Sequence, residues 1–139
     1  MSETDERRER LRFEGFQLVR FPNGRSRLKV RMEWTQDRSF SGEAEGNQTL
    51  EGEVRAAAEA ALIATARATE GQVEFDLRGV KALRVFDSWV VVVMVRARVK
   101  GEALSLLGAY PCPGEDTPRG SVMAVLDATN RLLSGHLPG

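Results

Sequence analysis

The chain has 139 residues, 42% of them hydrophobic and 29% charged, with 20 basic and 20 acidic side chains that cancel to zero net charge. That length suits one domain able to bury its own core, and the neutral balance gives bulk electrostatics no pull toward nucleic acid or a membrane surface. A single cysteine, Cys112, excludes an intramolecular disulfide.

Residues 1–10 carry charges of both signs and no apolar run, so they read as a flexible lead-in rather than a signal peptide, which points to a cytoplasmic protein. The first strand begins near Leu11, alternates apolar and polar residues, and meets Gly15, where a bulge or bend is expected. Phe21-Pro22-Asn23-Gly24-Arg25 is a strong turn signal. In the next strand Leu28, Val30, Met32 and Trp34 point one way, and Arg27, Lys29, Arg31 and Glu33 the other. A third strand falls near Ser39–Ala44. An alanine-rich helix follows, capped by Thr49, with Ala58, Ala61, Leu62, Thr65 and Ala68 on its core face and Gly71 at its left-handed end.

The second half repeats this order. Its first strand passes through Gly79, and Phe86-Asp87-Ser88 forms a weaker turn. Trp89–Val95 is apolar on both faces and too short to span a bilayer. Arg96, Arg98 and Lys100 then alternate with Ala97 and Val99, and a third strand lies near Ala103–Tyr110. Thr117 is the expected cap of the last helix, before Pro118, with Val122, Val125, Leu126, Thr129, Leu132 and Leu133 facing the core and Gly135 at the end.

The likeness of the halves is literal. At an offset of 64, seven positions of the two helical segments are identical, among them Leu62/Leu126, Thr65/Thr129 and Arg67/Arg131. The same offset superposes Gly15 on Gly79, while Gly42 matches Gly108 best at 66. Repeat one runs 11–71 and repeat two 75–135. The expected fold is α+β: a tandem strand-strand-strand-helix unit forming one six-stranded, mainly antiparallel sheet, with both helices on one face.

With Val91, Val93 and Val95 turned to the helices, Val90, Val92 and Met94 face outward. Three outward apolar residues on one strand point to a homodimer or higher homo-oligomer, or to another partner that covers them. Arg27, Lys29, Arg31, Arg96, Arg98 and Lys100 would form a basic strip on the same outer face. No aromatic residue interleaves them, which counts against single-strand nucleic-acid binding. The two strand-to-helix passages lead into helix starts, where a small anionic ligand can bind. Gly42, Glu43, Gly46, Asn47, Gly108, Tyr110 and Thr117 are the candidates.

Chemistry for catalysis is sparse, and no cofactor or metal site is expected. His136 is the only histidine, no phosphate-binding glycine motif occurs, and zinc-ligand spacing is missing. Tyr110, Cys112, Glu115 and Asp116 would be the nearest candidates for an enzyme site. Asp127 and Arg131 read as a helix surface pair, and Arg67 and Arg131 as caps on helix-end carbonyls.

The tandem unit, with the strand Leu28-Lys29-Val30-Arg31-Met32-Glu33-Trp34, the passage Gly42-Glu43-Ala44-Glu45-Gly46 and the helix start Arg55–Leu62, resembles the C-terminal regulatory and dimerisation domain of the isopropylmalate and citramalate synthase family. The resemblance implies two such units, a dimer, and an end-product amino acid at the dimer interface. This chain has Glu53-Val54-Arg55-Ala56 where that family places Gly-Pro and then aspartate, and it carries no catalytic barrel. The function expected is a non-catalytic regulatory or oligomerisation domain. Two alternatives stand beside it: a module that binds nucleic acid or an acidic protein through the basic strip, and a small enzyme with its site at an oligomer interface.

Overall fold

A computed structural model describes residues 11–35, 38–112 and 116–133. The charged lead-in, Glu115, Gly135 and His136 lie outside the described residues. The element order is β1 (Arg12–Arg20), β2 (Arg25–Thr35), β3 (Arg38–Asn47), α1 (Leu50–Ala68), β4 (Val73–Val85), β5 (Ser88–Val99), β6 (Glu102–Cys112) and α2 (Thr117–Leu133). The duplicated strand-strand-strand-helix unit is therefore present twice.

Local chemistry sets most boundaries. Both paired glycines sit at register breaks: β1 shifts against β2 between Phe13 and Gly15, and β4 against β5 between Leu77 and Gly79. The Pro-Asn-Gly turn closes with Gly24 at φ 82° and its N–H on the Phe21 carbonyl. Thr49 caps α1 by accepting the Gly52 N–H at 2.9 Å. At the far end of α1, Glu70 and Gly71 are both left-handed, so the chain turns one residue earlier than Gly71 alone implies. The start of α2 corrects a detail: the Asp116 carbonyl accepts from Gly120 N–H and its carboxylate from Arg119 N–H, so Asp116, not Thr117, holds the cap.

The six strands do not form one sheet. They form two antiparallel sheets of three, ordered β1-β2-β3 and β4-β5-β6. The helices explain why. A helix against one sheet needs one apolar face, but α1 is buried around most of its circumference, from Ala56, Ala57 and Ala58 through Ala60, Ala61, Leu62, Ala64 and Thr65. Gly42 of β3 lies directly on Ala60 and Ala64. Nearer the start of α1, Ser121 of α2 donates its hydroxyl to the Val54 carbonyl at 2.7 Å. On the remaining side, Leu62 and Ala66 look across a crevice at Phe75 and Leu77 of β4. Helix α2 is held in the same manner. Gly108 of β6 lies on Ala124 and Ala128, and Asn130 bonds the Leu11 backbone in both directions, at 3.1 and 3.4 Å, just before β1. Two helices thus lie side by side between two sheets, and each is closed off by a strand of the other repeat.

At Gly42 and Gly108 strand backbone meets helix backbone directly. A Cβ at Gly42 would run into the Ala60 carbonyl oxygen, and one at Gly108 into the Ala124 carbonyl oxygen. Only glycine allows backbone to touch backbone here. Thr65 and Thr129, also paired, bond back to the Ala61 and Val125 carbonyls at 2.7 and 2.8 Å, which satisfies hydroxyls buried in an apolar layer. Among the described residues no helix is long and apolar enough to cross a membrane.

Candidate interaction surface

Alternation along the strands turns Leu28, Val30 and Met32 of β2, and Val91, Val93 and Val95 of β5, into the core at zero exposure. The residues between them form the outer faces of the two sheets. These outer faces have little in common.

The outer face of the first sheet is charged and internally paired. Arg27 of β2 sits 3.3 Å from Glu45 and 3.7 Å from Glu43 of β3, and Arg31 is 3.2 Å from Glu14 of β1. Lys29 stands opposite Glu43 in the ladder. The outer face of the second sheet is apolar toward the β4–β5 turn. Val90 and Val92 are half-buried and Met94 is 46% exposed. Their ladder partners extend the patch: Leu83 and Pro111 flank Val90, Ala109 lies beside Val92, and Leu107, 64% exposed, beside Met94. Toward its other end this face carries Arg96 and Arg98. Of the six basic residues expected to make one strip, Arg27, Lys29 and Arg31 lie on the first sheet, Arg96 and Arg98 on the second and Lys100 in the turn after β5, and on the first sheet Arg27 and Arg31 are already held by carboxylates.

The two first-strand hairpins differ as much. The β1–β2 hairpin is fastened to α1. Arg20 meets Glu53 through two hydrogen bonds of 2.9 Å, and Ser26 donates to the same carboxylate at 2.6 Å. Glu53 is only 5% exposed. The Arg20 hydrogen bonds hold its carboxyl below the usual carboxylate range, against the opposing push of burial. The Gly24 carbonyl also accepts from Gln48 N–H at 2.8 Å. In the second repeat Arg84 takes the place of Arg20 in the ladder, opposite Trp89, and stacks on that ring at 5.6 Å. No carboxylate meets it among the described residues. At the tip Phe86 is left-handed, with φ 55°, and 97% exposed.

The ligand candidates are not gathered around an open loop. β3 runs to Asn47 and β6 to Cys112, so Gly42, Glu43, Gly46, Asn47, Gly108 and Tyr110 are strand residues. Gly42, Gly46 and Gly108 face the helices, and Glu43 faces outward beside Arg27. Asn47 accepts from Arg25 at 2.9 Å, and Thr117 is buried. The start of α1 carries Glu51 and Glu53, which oppose an anion there. Tyr110 is half-buried beside a crevice of about 470 Å3 that also involves Leu11, Phe13 and Met123.

The remaining polar candidates have structural partners. Asp127 accepts the Ala109 N–H at 3.0 Å, and Arg67 donates to the Ser41 carbonyl at 2.6 Å. Both tie a helix to an edge strand, a role that spacing within the helix does not reveal. Cys112 is buried beside Gly120, and burial pushes its thiol above the ordinary value, away from the reactive thiolate. No group of three metal-ligating side chains occurs among the described residues.

Sequence reasoning passed over Leu83, Leu107 and Phe86 on this surface. Leu83 and Leu107 become visible only once the ladder sets them beside Val90 and Met94. No known protein-family model matches the chain, and a search of characterised proteins finds no significant match.

Proposed function

We propose that this protein is a non-catalytic self-association domain of the regulatory kind, which pairs with a second copy through the outer face of β4-β5-β6. The observation that carries this reading is the contiguous apolar surface of Leu83, Val90, Val92, Met94, Leu107 and Ala109 in neighbouring ladder positions. Surfaces of this type are uncommon on monomers and typical of covered faces. The equivalent face of the first sheet, built on the same plan, is charged and paired, so apolar character is not a by-product of the fold. The likeness to the synthase regulatory domain, a dimerising unit, agrees with it.

Val92 lies mid-strand with its side chain outward, so Val92→Glu leaves the core alone and places a charge in the contact. Sedimentation or light scattering is expected to show a wild-type dimer and a Val92→Glu monomer, with matching unfolding midpoints at protein concentrations low enough that both are monomeric. A wild-type monomer at high protein concentration removes the reading.

A further inference from the structure

The β4–β5 hairpin tip is built unlike its counterpart, and its aromatic residue packs against nothing among the described residues. Left-handed backbone favours glycine, as at Gly24 in the first repeat; Glu70 after α1 and Lys100 after β5 also adopt it, but each is followed by a left-handed glycine, Gly71 and Gly101. Here an aromatic residue holds it at φ 55° with 97% of its surface in water. A ring kept in a disfavoured conformation and buried against nothing suggests a use outside the fold. The tip adjoins the apolar outer face directly, through Val85 and Leu83, each 41% exposed.

The other end of that face supplies the complement. Arg96 and Arg98 are exposed there and make no ion pair among the described residues; of the carboxylates opposite them in the ladder, Asp76, facing Arg96, is engaged by Arg78 at 3.1 Å, and Glu74, facing Arg98, lies beyond ion-pair distance of it. Asp87 at the tip also has no ion-pair partner among the described residues. One end of the face therefore offers an aromatic ring and a carboxylate, and the other two exposed guanidinium groups. Along the chain the spacing is even: Val92 is six residues from Phe86, in the turn before β5, and six from Arg98 on β5, an arm of roughly 20 Å on the strand side. A twofold axis through Val92, across the strands, superposes the tip of one copy on the arginine end of the other, twice. Lys81, beside Val92, lies on the edge strand β4, so its ammonium can reach water past that edge.

We propose that Phe86 and Asp87 dock on Arg96 and Arg98 of the partner subunit, with the two second sheets stacked antiparallel about Val92. The inference rests on the self-association reading and adds its geometry. Arginine takes the face of an aromatic ring and, beside it, a carboxylate, so both tip residues have a matching group.

Charge reversal tests it on the full chain. Asp87→Arg and Arg98→Asp are each expected to weaken association by about tenfold or more, and the double variant to recover most of that loss. Phe86→Gly is expected to weaken association while leaving the unfolding midpoint, read at concentrations where both proteins are monomeric, equal or higher, because glycine relaxes the left-handed backbone. A benzoylphenylalanine at position 86, irradiated in mixed light and heavy protein, should crosslink between copies to residues 96–100. Should Arg98→Asp disturb folding, the crosslink decides alone. A dimer sensitive to Val92→Glu, yet with no recovery in the double variant or with crosslinks elsewhere, overturns this docking and leaves self-association standing. A wild-type monomer overturns both.

Discussion

Inside the molecule the two repeats obey the same rule. Gly42 brings β3 onto α1, Gly108 brings β6 onto α2, and each helix buries a threonine that bonds its own carbonyl. Outside they part company. The first sheet shows water a ladder of ion pairs and a hairpin fastened by Glu53; the second shows apolar side chains and a hairpin ending in Phe86, whose Arg84 meets no carboxylate among the described residues. Packing between the helices and sheets restricts what both copies can change, because the same backbone distances must be met twice. The outer faces carry no such demand, so differences there report use.

The largest expected effect strikes what the copies share. Gly42→Val or Gly108→Val forces side chain into helix backbone, and each should lower stability by about 3 kcal/mol or more in chemical denaturation. Equal losses in both copies would confirm the shared rule; tolerance in one would break it.

Glu53→Ala comes next and acts on one copy only. It removes the acceptor of a buried Ser26 hydroxyl and should cost about 1–3 kcal/mol, measured by urea unfolding. No change would mean that the fastening of the first hairpin is idle. The same carboxyl predicts a pH effect. Its folded pKa is depressed, so its contribution is complete above the unfolded value of about 4.3 and is lost as pH falls through the folded one. The wild type should therefore lose stability more steeply than Glu53→Gln below about pH 4.

A smaller effect probes an exchange of bulk between copies. In the first repeat Gly46 of β3 faces Ala56 of α1; in the second, Cys112 of β6 faces Gly120 of α2. Gly120→Ala places its methyl on the Cys112 sulfur and should cost about 1–2 kcal/mol. Adding Cys112→Gly, which copies the first repeat's arrangement, should recover part of it, seen as a non-additive cycle. The smallest effect belongs to Arg27→Ala: exposed pairs of this kind contribute about 0.5 kcal/mol or less.

The alternation of β2 and the two glycine bulges were legible in the chain, because side-chain direction and backbone permissiveness are local properties. How the strands divide was not. Period-two patterning assigns a residue to a face and says nothing about which edges pair, so one sheet of six and two of three share the same pattern. The clue present was α1 itself: alanine on every side, from Ala56 to Ala61, indicates cover on more than one side. The candidate surface was legible through Val90, Val92 and Met94 and incomplete without their ladder neighbours. The Arg20–Glu53 pair spans 33 residues, and an acid in a first helical turn reads equally well as a partner for the helix dipole.

The mutual covering of the helices bears on whether the halves can stand apart. A single strand-strand-strand-helix unit would leave the β4-facing or β1-facing side of its helix in water, so either half made alone is expected to need a second copy, or the other half, to cover it. The short turn at Glu70-Gly71 makes that covering intramolecular, and the outer faces, which take no part in it, are where the two halves differ.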